Sequence, residues 1–392
     1  MRERKIAELE AKFKKVEGQN YYALLALARS VGIEKETAHK IAYASQFVDD
    51  AKVNKITLAD DNPADLLSKF EDNEIINAAT CHSYSDLSTY NYSSMTANTS
   101  AFHFVPGCKG RNFPKKMRCK KESKIIKSIV EEAVNTDDPI KLGITLHAYA
   151  DTFSHQGFSG IASKVNDVEE VRENNKIPSK ISELIKEKKW KQIVTRILPF
   201  VSERKRDRLV PAYGHGQVYS YPDIPYLEWR YEYDTTDNFS NHYRVSRVKN
   251  RERFIEAFSK IKEILQEFLE NNEQYRDDSV AAVDYEEFNS ILTARKVEEE
   301  RIAAWKEFIL ANELLSPADK DIIEYDEQLW LREAFKDFIN CDFGRRIVND
   351  VYVADDFLQS NWYKYYQGIQ WYKKLFFKAA ADNGLSIPNS YS

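Results

Sequence analysis

The sequence predicts an all-α, multi-helical fold with a loop-rich insertion and a helical C-terminal extension. Two observations carry that expectation. Glycine and proline are scarce, 12 and 11 among 392 residues, while helix-forming residues are plentiful. Apolar residues also recur at helical spacing, as in Phe254, Phe258, Ile261, Leu265 and Phe268. The hydrophobic fraction of 43% and charged fraction of 30% are those of a globular chain. A helical domain over residues 1–245 is expected to carry the polar motifs. Residues 246–392 form a helical region packed on it, or continue the same domain.

Taken in order, residues 1–16 alternate charges around Ile6, Leu9 and Phe13, the pattern of a surface helix. Residues 20–31 form a compact apolar helix that Gly32 ends. Glu34 to Asn54 is a second helix, with Ile41, Ala44 and Val48 on one stripe. Asp60, Asp61, Asn62 and Pro63 mark a loop. Residues 80–118 are loop-rich with short helices, and the run 109–121 is dense in Lys and Arg. Asp138-Pro139 is a helix start, an N-cap followed by proline in the first turn. That helix runs to about Gly157, with Leu142, Leu146, Tyr149 and Phe153 toward the core. Gly143 leaves room for a backbone or a ligand to come close. Residues 161–180 read as a polar surface excursion, and two short helices follow up to Arg208. Gly214-His215-Gly216 and Tyr221-Pro222-Asp223 form a stiffened turn segment. Further helices are expected near 283–312, 318–341 and 346–382. The aromatic stripe of the last is core or an interface for a protein partner.

The chemistry concentrates in Leu146 to Gly160. His147, Asp151 and His155 follow one another at four-residue intervals, so on a helix they share one face. Two imidazoles and a carboxylate in such a stripe are the donor set of zinc or a similar divalent ion. One helix cannot surround an ion, so other donors must come from elsewhere: His39, Asp49, Asp50, His82, His103, His215 and Asp223. His39 and Asp50 share a helix face but stand about 16 Å apart along it, so they cannot bind one ion together. Two acids at a helix C-terminus oppose the macrodipole and favour a cation nearby. A hydrogen-bonded polar network without metal is the plain alternative.

Other chemistries are excluded by their motifs. The chain has no phosphate-binding glycine loop, dinucleotide fingerprint, nucleophile elbow or HExxH. Its net charge of −5 implies no nucleic-acid partner. Cys81, Cys108, Cys119 and Cys341 form no CxxC pair and read as free thiols. The opening residues lack a signal-peptide pattern and no apolar run is long enough to span a membrane, so a cytoplasmic location is expected.

Four segments together resemble an uncharacterised bacterial family of unknown function over residues 20 to about 245. They are Ala42 to Ala51 (AYASQFVDDA), Phe102 to Gly107 (FHFVPG), Leu146 to Gly160, and Gly214-His215-Gly216 with Tyr221-Pro222-Asp223. More distantly, the ligand order resembles the zinc-dependent phospholipase C and P1-nuclease superfamily, all-α enzymes that hydrolyse phosphate esters at a three-zinc cluster. His147 and Asp151 match the spacing of that motif. The next histidine comes six residues after the Asp in that superfamily, but four after it here, at His155. That superfamily also uses an N-terminal ligand, and where the bacterial family has a histidine near the start of its first helix this chain has Asn20 and Tyr21. The resemblance implies one to three divalent ions, zinc above all, held by His147, Asp151, His155, His103 and Asp49 or Asp50, with His215 and Asp223 closing the cluster. Asp151 is the candidate bridge and catalytic centre. The function expected is a metal-dependent hydrolase of phosphate esters. The alternative is a non-catalytic helical protein with a structural metal and a partner-binding C-terminal region.

Overall fold

The computed structural model describes residues 19–82, 91–173, 212–218, 220–233, 245–336 and 338–387. The expected helices over 1–16 and up to Arg208 lie outside these residues. Eight α-helices of eight or more residues occur among the described ones: α1 (Gln19–Ser30), α2 (Lys35–Asp50), α3 (Lys124–Val134), α4 (Pro139–Ser154), α5 (Asn250–Asn271), α6 (Tyr285–Leu292), α7 (Glu298–Ala311) and α8 (Asn361–Asp382). Helix α4 is the axis of the fold. It starts as the sequence predicts, with the Asp138 carboxylate accepting from the amides of Ile140 and Lys141 and Pro139 in the first turn. It is apolar on nearly every side because neighbours cover it all round: α2, α3, α5, α8 and the segment Ser94–His103.

Gly143 explains the closest of these packings. A methyl group there would lie 2.3 Å from the Ile41 carbonyl oxygen and 2.8 Å from Ala44 Cβ on α2. The missing side chain therefore lets the two helices touch backbone to backbone, one turn before His147.

Helix dominates, but the all-α expectation is wrong. Two three-stranded sheets are present, ordered β2-β1-β6 and β3-β4-β5. Their strands are β1 (Lys55–Leu58), β2 (Glu74–Ile76), β3 (Val168–Glu173), β4 (Glu228–Tyr233), β5 (Val245–Lys249) and β6 (Ile347–Val351). Within the first sheet β1 pairs antiparallel with β2 and parallel with β6. The second is antiparallel throughout.

Several boundaries differ accordingly. The stretch 161–180 holds β3 rather than a bare excursion. The start of 346–382 is β6, where Ile347, Val348 and Val351 favour extended backbone over helix. The expected 283–312 helix breaks into α6 and α7, and 318–341 breaks into the short turns Lys320–Ile323, Leu329–Ala334 and Phe338–Asn340. Residues 80–118 contain a ten-residue π-helix, Ser94–His103, buried from Thr96 onward.

One apolar core draws on both halves of the chain, from Tyr21 to Ile387. The aromatic residues of α8 point into it, Trp362, Tyr365 and Tyr372 being nearly inaccessible. A smaller core under the second sheet gathers Phe104, Phe158, Tyr221, Trp229 and Tyr231. All four cysteines are free thiols. No helix among the described residues is long and apolar enough to cross a membrane.

Gly143→Ala tests the backbone contact. Its methyl group has no flexible neighbour to displace, so the helices must part, at a cost of about 1–3 kcal/mol by analogy with overpacked cores. A denaturation midpoint equal to wild type would show that α2 and α4 are not in such contact.

Candidate metal centres

Asp151 is the hub. Its Oδ2 lies 3.1 Å from His103 Nδ1, 3.4 Å from His147 Nε2 and 3.5 Å from His155 Nδ1. His147 and His155 come from the same helical face, one turn either side, although His155 is already the residue that caps α4. His103 is delivered by the π-helix. The Phe104 amide donates to Thr99 O five residues back, continuing that wider winding to its end.

Asp49 completes a first group. Its Oδ1 is 3.8 Å from His103 Nδ1 and 3.7 Å from His147 Nε2, and those two nitrogens are 3.2 Å apart. Ligands of a tetrahedral ion with bonds of about 2.0–2.1 Å sit roughly 3.3 Å from each other. The separations of the two ring nitrogens from each other, from Asp151 and from Asp49 bracket that value, at 3.1–3.8 Å.

The second group is His155, His215 and Asp223, whose donor atoms lie within 4.8 Å of one another. His155 Nε2 is 3.1 Å from Asp223 Oδ1, and His215 Nε2 is 3.7 Å from Asp223 Oδ2. The His155 and His215 rings lie 4.8 Å apart, and Phe104 stacks on His155 at 4.7 Å.

Hydrogen bonds fix which nitrogen of two rings faces inward. His103 Nε2–H donates to the Thr80 carbonyl (3.1 Å), and His155 Nδ1–H donates to the His103 carbonyl (2.7 Å). Each neutral ring then presents its other nitrogen as a lone pair toward carboxylate oxygens. Lone pair against carboxylate is repulsive unless positive charge lies between them. Fixing of the tautomer from the far side is the usual device of a metal-binding histidine. Asp49 and Asp151 together bring −2 to these rings, the charge that a divalent ion balances once the rings are neutral.

The titration behaviour points the same way. Burial alone would lower the pKa of His147, but the charges of Asp49 and Asp151 outweigh it and hold the ring up at about 9. For His155, burial is again overcome, by Asp151 and then Asp223, to about 9. Burial would raise Asp151, yet His155 and His147 hold it well below the usual carboxylate range. Both groups attract positive charge, a proton on the metal-free rings or a metal ion in its place.

Access is from the carboxylate side. The histidine side chains are at most 5% exposed, whereas those of Asp49 and Asp223 are 36% and 45% exposed.

Two of the candidate ligands lie elsewhere. Asp50 points away from the site and accepts from the Tyr325 hydroxyl. His39 Nδ1 bonds the Tyr21 hydroxyl at 2.8 Å among aromatic rings, and burial pushes it down to about 4. Because Tyr21 gives its own proton to Ile322 O, His39 is the donor there and serves structure. His82 lies beside the first group, its ring 4.6 Å from that of His103.

Three of the seven basic side chains of the run 109–121 bond elsewhere. Lys116 donates to Gly384 O, Lys121 pairs with Glu256, and Arg118 donates to Val165 O.

Three supporting residues were not anticipated. Thr80 and Phe104 are described above. Asn250, fully buried, donates to the carbonyls of Tyr221 and Ile224 at 2.6 and 2.7 Å and accepts from Trp229 Nε1. It clamps both ends of the turn that carries Asp223. Only spatial proximity links it to the motifs, since it lies 27 residues beyond Asp223 at the start of α5.

Among protein families, one described as a family of unknown function (DUF6765) matches residues 20–380. No curated protein matches, and no solved structure matches.

Titration of chelator-treated protein with zinc is expected to find two ions per chain. His147→Ala and Asp151→Asn should lose the first-group ion, with a larger effect than the roughly 10–100-fold typical of an outer partner. His39→Gln and Asp50→Asn should keep wild-type stoichiometry. Equal zinc content in all five proteins would refute the ligand assignment.

Proposed function

The chain belongs to this family of unknown function, and from that premise we propose that it is a metal-dependent hydrolase of phosphate esters. The observation that carries the reading is the pairing of two adjacent donor sets. One group is Asp49, His103 and His147, with Asp151 Oδ2 beside its two rings. The other is His155, His215 and the half-exposed Asp223. Three protein donors leave a coordination position for water or substrate.

Asp49, His103, His147 and Asp151 are the residues to hold one ion, and His155, His215 and Asp223 the other. A divalent ion supplies an acidified water and an electrophile for a phosphoryl oxygen. The protein supplies the rest. Phe104 and the paired imidazoles wall the second centre on its buried side. Asn250 keeps the Asp223 turn from moving. Asp151, with His103 on one side and His155 on the other, ties the two centres together electrostatically.

The preference for phosphate esters rests on ligand order. Asp49, His103, His147, Asp151, His155, His215 and Asp223 follow one another along the chain as in the zinc phospholipases C and P1-type nucleases. The departure at His155 keeps its donor in reach, because His155 has left the regular helix and turns Nε2 toward Asp223. The burial of His103 and His147 also favours a second reading, in which the metal serves only to fasten the π-helix to α2 and α4.

Turnover distinguishes the two. The zinc-loaded protein should hydrolyse a phosphomonoester or phosphodiester probe. His215→Ala should keep the first ion and lose at least about 100-fold in kcat/KM, a loss of some 2.7 kcal/mol of transition-state stabilisation. Zinc-loaded protein inert toward both probe classes would leave the structural reading standing.

A further inference from the structure

We infer that the C-terminal helix α8 is the positioning element of the His103 centre, acting through the hydroxyls of Tyr365 and Tyr372. The inference rests on the metal reading above and assigns to residues near the end of the chain a part in a site built from its first half.

Tyr365 is 2% exposed, and its hydroxyl lies 2.8 Å from Thr80 Oγ1. Thr80 Oγ1 gives its single proton to Val48 O at 2.8 Å. Tyr365 is therefore the donor, and Thr80 is held from both sides. Val48 directly precedes Asp49. The carbonyl of the same Thr80 accepts from His103 Nε2. One fully buried threonine thus sets the tautomer of one ligand while gripping the helical turn that carries another.

Tyr372 acts on the other side of His103. Its ring stacks on Phe102 at 4.9 Å, and its hydroxyl donates to Ala101 O at 2.9 Å. Ala101 and Phe102 are the last two residues of the π-helix before the ligand. Tyr365 and Tyr372 are seven residues apart, two turns of one helical face. A single face of α8 therefore fixes His103 through its tautomer partner and through its backbone. Both bonds are buried and join residues 285 and 271 positions apart in sequence, so neither forms until α8 has docked.

Hydroxyl-deletion variants that keep the ring or the side-chain shape test this by zinc affinity of the full-length protein, measured against a competing chelator. Tyr365→Phe, Tyr372→Phe and Thr80→Val should each weaken the first zinc about 10–100-fold, the range for partners that orient a ligand. Thr80→Ser keeps the hydroxyl and should restore wild-type affinity. Tyr21→Phe removes an equally buried hydroxyl that bonds His39 and Ile322 O rather than Thr80 or the π-helix; it should lower the melting temperature and leave zinc affinity unchanged. If Tyr365→Phe and Tyr372→Phe bind zinc as tightly as Tyr21→Phe, α8 only packs and the inference falls. Wild-type protein that takes up no zinc would instead overturn the metal reading on which it rests.

Discussion

A carboxylate inside a protein costs several kcal/mol in lost hydration unless opposite charge or hydrogen bonds replace the water. Asp151 sits at the centre of this molecule under that constraint, with three imidazole nitrogens within 3.5 Å of one oxygen. The surrounding elements follow from it. Helix α4 supplies His147 and His155 from its own face. The π-helix brings His103 from the side, and α2 comes close enough, over Gly143, to add Asp49. Each acid needs positive charge and each ring is oriented to accept it. Removing any one of them leaves a buried group without its counterpart.

The stripe of His147, Asp151 and His155 was legible because helical period alone places residues four apart on one face. Asp49 and Asp50 were not separable in the same way. They differ by about 100° around the helix axis, and only the packing of α2 on α4 decides which faces the histidines. His39 illustrates the opposite case, a titratable side chain on the right helix that aromatic neighbours turn to structure. His215 and Asp223 could be named but not placed, since their geometry depends on Asn250, Trp229 and a sheet formed across long connections. The strands were partly readable. Glu228-Trp229-Arg230-Tyr231-Glu232-Tyr233 alternates polar and aromatic residues with the period of a strand, a short signal that the helical periodicity of the rest of the chain outweighs. β6 was harder, because its partner β1 lies some 290 residues earlier.

The two donor groups occupy a seam. The first is enclosed by helices of the main core, whereas the second rests on Phe104, which belongs to the small core beneath β3, β4 and β5. His103 spans the seam, its ring facing Asp49 and its carbonyl holding His155. The late part of the chain is equally committed, through β6 beside β1 and α8 against α4. Fold and site are thus one construction, and the exposed edges of Asp49 and Asp223 are the places where it opens to solvent.

Anomalous X-ray diffraction at the zinc edge, on crystals of the zinc-loaded protein, tests the central claim most directly. Two peaks are expected: one about 2.0–2.2 Å from donors of Asp49, His103, His147 and Asp151, the other at the same range from His155, His215 and Asp223. Zinc-loaded crystals with no peak between these side chains, or with zinc elsewhere and the rings bonded only to protein, would contradict it.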